Sequence, residues 1–168
     1  MMKLSGKNNI GFSWSAKGSK TFRAFDPAAN DFLNEEFFLA TNEELDQIMQ
    51  LAQNAFPAYQ KKTGTERALF LQAIADEIMA LGDDLISRCV AESGLPAARI
   101  TGERARTTGQ LRLFVETIRK VYYVQPRIDP ALPDRKPWPR YDLRRMNIPL
   151  GPVLVLGASN FPLAFSTA

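Results

Sequence analysis

Apolar residues recur with a helical period over most of residues 42–123. Leu45, Ile48, Leu51, Ala52, Ala55, Phe56 and Tyr59 fall at spacings that put them on one side of a helix ending near Gln60. The start of that helix is written in Thr41-Asn42-Glu43-Glu44. A threonine at the N-cap and a carboxylate three residues later each satisfy a backbone donor that the first turn leaves unpaired. Thr63-Gly64-Thr65-Glu66 repeats the device ahead of a second stripe of Phe70, Ile74, Ile78 and Leu81, and Gly82-Asp83 marks a break. The stripe resumes at Leu85, Ile86 and Cys89 and closes at Ser93-Gly94, since glycine takes the left-handed conformation that ends helices. Pro96 suits the first turn of a long fourth helix. Leu111, Phe114, Val115, Ile118, Val121 and Tyr122 share one of its faces, leaving Arg99, Glu103, Arg104, Arg106, Arg112 and Glu116 to the others.

The pattern changes on both sides of the helices. Thr21 to Phe25 alternates, Asp26-Pro27 to Asn30-Asp31 supplies turn chemistry, and Phe37-Phe38-Leu39 resumes an apolar run, which predicts two short strands within residues 20–40. Five prolines between Pro126 and Pro139 forbid a helix or central strand, so 126–140 is expected to be an extended connector. Residues 141–149 are expected to form a charged, exposed strand. Gly151-Pro152 then leads into Val153-Leu154-Val155-Leu156, a continuous aliphatic run of the kind that forms a parallel strand covered on both faces. Parallel partners arrive by crossovers of a dozen or more residues, and few residues follow Leu156. The expected fold class is therefore α/β: an N-terminal helical part followed by the first strand and loop (152–168) of a doubly wound, Rossmann-like domain, incomplete in this chain.

Composition narrows the chemistry. Apolar residues are 45% and charged residues 23%, which excludes disordered and disulfide-rich classes. With 21 Lys and Arg against 18 Asp and Glu, the net charge of +3 is too small to argue for a nucleic-acid partner. No histidine and one cysteine leave no imidazole base, no internal disulfide and no His- or Cys-built metal site. Met1 to Asn9 carries no signal-peptide run, and Met2 stands where myristoylation needs glycine, so a cytoplasmic location is expected. The uncharged stretch from Leu150 to Ala168 is long enough to span a bilayer but is broken by Gly151, Pro152, Gly157, Asn160 and Pro162, which argues against a membrane helix.

The loop Gly157-Ala158-Ser159-Asn160-Phe161-Pro162 follows the expected strand, the position where open α/β sheets bind ligands. By residue type alone Asn160 suits a helix cap or a turn as well as a ligand contact. No G-x-G-x-x-G or P-loop pattern is present. The arginines from Arg99 to Arg112 admit a basic nucleic-acid-binding surface, although Glu103 dilutes them and no aromatics interleave to stack bases. A helical interaction module without enzymatic activity is the other alternative.

Pro149-Leu150-Gly151-Pro152-Val153 followed by Gly157-Ala158-Ser159-Asn160-Phe161-Pro162-Leu163 resembles the segment that opens the cofactor domain of NAD(P)-dependent aldehyde dehydrogenases. Phe56-Pro57-Ala58-Tyr59, Glu66-Arg67-Ala68 and Glu92-Ser93-Gly94-Leu95-Pro96 are similar to that family's helical N-terminal part. Gly102 to Arg112 and Ile128 to Arg135 look like the branch acting on 2,5-dioxovalerate (α-ketoglutaric semialdehyde) and fatty aldehydes. The resemblance implies an oxidoreductase converting an aldehyde to a carboxylic acid with NADP or NAD, homo-oligomeric at full length. It implies that Asn160 is the oxyanion-hole donor and that Leu156, Gly157, Ala158 and Ser159 line the nicotinamide end of the cofactor. Many members carry Pro-Trp where Ala158-Ser159 stands here. It also implies that the nucleophilic Cys, the general-base Glu and the ribose-binding Lys lie beyond residue 168, so that this chain alone is inactive. Cys89, on a helix stripe with Leu85 and Leu81, is expected to be a buried, protonated core thiol.

Overall fold

The computed structural model describes residues 4–167. Met1, Met2 and Lys3, on which the expected absence of an acylation signal rests, lie outside the described residues, as does Ala168.

Two antiparallel ribbons precede the helices. β1 (Asn8–Ile10) pairs with β2 (Ser13–Ser15), and β3 (Thr21–Asp26) pairs with β4 (Asp31–Phe38) from Thr21 opposite Phe38 to Asp26 opposite Asp31. The second ribbon is the expected pair of strands, with Phe22 stacked on Phe37 at 5.5 Å and Phe25 edge-on to Phe32 at 5.3 Å. The first is too short and too polar to show in the hydrophobic pattern. Gly6 stands close to β4 with φ of 64°. Its amide neighbour positions leave no room for a side chain, because a Cβ there would meet the Glu36 carbonyl oxygen at 1.8 Å.

Helices α1 (Asn42–Tyr59) and α2 (Gly64–Ala80) start at the two capping boxes, each with both reciprocal hydrogen bonds formed. In the first box, Glu44 is buried and also accepts from the Ser15 hydroxyl, tying β2 to the start of α1. Helix α3 (Gly82–Ser93) ends at Gly94, whose φ of 66° is left-handed, and a Cβ on Gly94 would press to 2.7 Å from the Pro27 ring. Helix α4 (Ala97–Arg119) follows, with Pro96 at the N-cap.

Helices α2 and α4 pack most extensively and run antiparallel: the Gly64 end of α2 lies by Ile118, and Arg104 Nη1 donates to the Gly82 carbonyl at 2.7 Å. Small residues permit the close approach, since Ala68 and Ala75 of α2 and Thr107, Thr108, Leu111 and Val115 of α4 are all buried. This seam corrects the expected stripe. Phe70 and Leu81 are exposed, because alanines rather than bulky side chains face α4 and Phe70 turns to its flank against Tyr59. Phe114, Val121 and Tyr122 are likewise exposed. A second buried cluster joins Ile86 and Cys89 of α3 to Ile100 of α4, with Leu85, Val90, Leu95 and Leu163 packed around it.

Beyond α4, a 3-10 turn (Tyr122–Val124) leads to β5 (Arg127–Asp129), which pairs antiparallel with β6 (Leu143–Arg145). The proline-rich connector thus contributes one short edge strand, and the exposed strand expected within 141–149 is its partner. Val153 to Leu156 departs from expectation. It forms no strand, and all four side chains are more than half exposed. Strand formation is a property of pairs, and no strand among the described residues lies beside this segment to supply ladder bonds. The short helix α5 (Ala164–Thr167) closes the described chain. No helix among the described residues is long and apolar enough to cross a membrane.

Candidate functional site

The loop 157–162 lies against the N-terminal half of α4. Arg99, Glu103 and Arg106 fall on one face of that helix at spacings of four and three residues, and each engages the loop or the helix after it. Arg99 Nη2 donates to the Asn160 carbonyl oxygen at 2.8 Å, and its guanidinium sits 5.0 Å from the centre of the Phe161 ring. Arg106 lies 5.8 Å from both the Phe161 and Phe165 rings, which stack on each other at 4.6 Å. Between the two arginines, buried Glu103 accepts through Oε1 from the backbone N–H groups of Leu163 (2.8 Å) and Ala164 (3.0 Å). The loop closes on itself through Phe161 N–H donating to the Ala158 carbonyl at 3.1 Å.

Asn160 is exposed and its side-chain amide has no hydrogen-bond partner among the described residues. The capping alternative therefore has no geometric basis: the N–H groups that open α5 are held by Glu103, not by Asn160. Asn160 does stand in the turn that the Phe161 to Ala158 bond closes, the other role its residue type suits, and its amide donor is left free on a loop fixed through its backbone. Such a donor stabilises negative charge developing on a nearby oxygen without changing its own protonation state.

Leu156, Gly157 and Ser159 are exposed and Ala158 is half-buried, and the four lead directly along the chain to Asn160. Gly157 has no side chain, and where a Cβ would stand the nearest heavy atom is Ser166 Cβ at 3.7 Å. No cluster of His, Cys, Asp and Glu suited to a metal occurs among the described residues. A groove of about 600 Å³ between the β1–β2 turn and α1 is lined by residues such as Ile10, Phe12, Ile48 and Leu51 and by none of the loop.

Cys89 is buried, as expected, and burial pushes its thiol above the usual range, with Glu92 and Glu103 adding to the rise. A buried thiol held protonated in this way is a poor nucleophile. The arginines of α4 are engaged within the chain, Arg104 on Gly82 and Arg112 on Asp76 at 3.2 Å in addition to the pair on the loop. Glu103 is the site residue that sequence reasoning missed. A charged residue among arginines on a helix reads as solvated, and only its contacts some sixty residues downstream show otherwise.

The aldehyde dehydrogenase family profile matches residues 14–168. The chain belongs to the aldehyde dehydrogenase family. Among curated relatives, this aldehyde dehydrogenase chain is 50% identical over 168 residues to alpha-ketoglutaric semialdehyde dehydrogenase 2 of Azospirillum brasilense, a match covering 99% of this chain and 32% of that protein. It is 46% identical to alpha-ketoglutaric semialdehyde dehydrogenase of Acinetobacter baylyi, covering 100% of this chain and 32% of the relative. The chain thus spans about a third of the length of these relatives. Its fold matches the crystal structure of succinate-semialdehyde dehydrogenase from Burkholderia pseudomallei with a TM-score of 0.67 and 30% identity, over 80% of this chain and 28% of that one.

Proposed function

We propose that the protein containing this chain oxidises a semialdehyde of the 2,5-dioxovalerate type to the carboxylic acid with NAD(P), and that Asn160 is its oxyanion donor. The observation that carries the reading is the Asn160 loop, gripped through its backbone by α4 while the amide itself is left unpartnered. A ground-state partner would have to be broken before the amide could serve a substrate oxygen; here none is present. As the carbonyl oxygen of the aldehyde gains charge, the Asn160 amide N–H donates to it, so the contact strengthens towards the transition state. The identity to the Azospirillum and Acinetobacter proteins supports the choice of substrate class.

Leu156, Gly157, Ala158 and Ser159 would hold the nicotinamide end of the cofactor against their backbone. When bound, NAD(P) supplies the hydride acceptor. We favour NADP over NAD, by the resemblance to the 2,5-dioxovalerate and fatty-aldehyde branch. A homo-oligomeric, cytoplasmic enzyme is part of the same proposal. The exposed Ile128, Leu143 and Met146 of the β5–β6 region offer apolar surface for self-association.

The test is steady-state kinetics of the full-length protein with 2,5-dioxovalerate, succinate semialdehyde and a simple alkanal, each with NADP and with NAD. The expected result is the highest kcat/KM for 2,5-dioxovalerate with NADP. Equal or better turnover of the alkanal overturns the substrate assignment, and a clear preference for NAD overturns the cofactor assignment.

A further inference from the structure

We infer that Glu103 is the positioning residue that aims the Asn160 amide, an inference that rests on the reading of Asn160 as the oxyanion donor. Glu103 is 6% exposed, and no cation forms an ion pair with it among the described residues. Arg99 and Arg106, its neighbours on the same face of α4, are committed to the Asn160 carbonyl and to aromatic rings. A carboxylate withdrawn from water without a counter-charge is costly to keep, so its hydrogen bonds must offset that cost.

Both of those bonds go to the stretch that follows Asn160. Oε1 takes the N–H groups of Leu163 and Ala164, the donors at the opening of α5. A four-residue helix cannot hold itself, because forming one turn fixes many dihedrals for very few internal bonds. Its place is set from outside, by Glu103 and by Leu163 packed on the Ile86, Cys89 and Ile100 cluster. Only Phe161 and Pro162 separate that anchor from Asn160, and the proline ring fixes one of the intervening dihedrals. On the other side, Arg99 holds the Asn160 carbonyl directly. The amide makes no bond of its own, so these two anchors set the backbone position from which it reaches. Glu103 Oε2 is buried without a partner, so a glutamine amide in its place loses no existing bond there while its oxygen still accepts both N–H groups.

The experiment is a double-mutant cycle in the full-length enzyme, with kcat, KM and melting temperature measured on 2,5-dioxovalerate and NADP. Glu103→Ala is expected to lower kcat about tenfold to a hundredfold with KM near parental, the scale of a reacting group misplaced by about an ångström. Glu103→Gln restores most of the loss. In an Asn160→Ala background, Glu103→Ala has no further effect on kcat, because the amide through which it acts is gone. Equal fold losses in both backgrounds, or a lowered melting temperature with parental kcat, overturn the inference. Should Glu103→Ala fail to fold, Glu103→Asp takes its place in the cycle, since it keeps the charge but withdraws the accepting oxygen by about 1.5 Å. A parental kcat in Asn160→Ala overturns the reading of Asn160 itself. A large loss in Asn160→Ala with none in the Glu103 variants overturns the positioning role alone.

Discussion

Replacing Asn160 with alanine separates a catalytic amide from a structural one, because the two roles predict opposite pairs of observations. In the structure the side chain is exposed and makes no hydrogen bond to the described residues, so its removal breaks none, and the folded state should change by less than about 0.5 kcal/mol. The helix that follows is unaffected in kind, since its first donors belong to Glu103. The chemical step is another matter. Loss of a single donor to a developing alkoxide costs about 2.7 to 4 kcal/mol, which is a fall in kcat of roughly a hundredfold to a thousandfold. That contact strengthens as charge builds, so the loss belongs in kcat and not chiefly in KM. Stopped or steady-state assays on the full-length enzyme give both constants, a thermal melt gives stability, and fluorescence titration gives cofactor affinity. A variant that melts several degrees lower while turning over semialdehyde at the parental rate refutes the reasoning. Asn160→Asp sharpens it: a carboxylate offers the oxygen a like charge instead of a donor, and should fall below Asn160→Ala.

The capping box at Thr63 carries an acid signature. Lys62, 2.8 Å away, and the Thr63 backbone pull the Glu66 carboxyl down to about 2, below its unfolded value, so the stability it confers is present above about pH 4.5 and lost as pH falls towards 2. Glu66→Ala should flatten the acid limb of a stability profile measured over that window; an unchanged limb counts against the cap. Cys89 should resist maleimide in the native state and react fully on denaturation, since burial keeps its thiol protonated, and rapid labelling of folded protein contradicts this. A polypeptide of residues 1–168 should produce no NAD(P)H with any aldehyde, for lack of a reactive thiolate, and reduction of cofactor above background refutes that. The same polypeptide should self-associate through exposed Val153, Leu154, Leu156 and Phe165, and a monodisperse monomer at micromolar concentration in light scattering speaks against it.

What the sequence made legible is what is encoded within a few residues. Thr41 with Glu44, Thr63 with Glu66, and Gly94 each act on their own turn, and each stands where local pattern put it. The β3–β4 ribbon could be read because its turn lies between its strands. Long-range dependence defeated the rest. Val153 to Leu156 has the composition of a strand, but a strand also needs a neighbour. The inward side of α2 proved to be alanine, because close helix approach favours small residues where a hydrophobic stripe favours large ones. At the candidate site the pattern singled out the loop and Asn160, yet the residues that hold the loop are charges on a helix far upstream, and nothing local distinguishes Glu103 from Glu116.

The clamp on the loop also fixes an order of events. Asn160 is held by Arg99 across 61 positions and Leu163 by Glu103 across 60, both times with the holder earlier in the chain. A ribosome releases residues from the N-terminus at a few to about twenty per second. Helix α4 therefore leaves the exit tunnel seconds before the segment it is to receive, with time to settle against α2 while its carboxylate still faces water. The loop emerges onto a berth already in place, and its final geometry is guided by contacts formed before its own residues are joined.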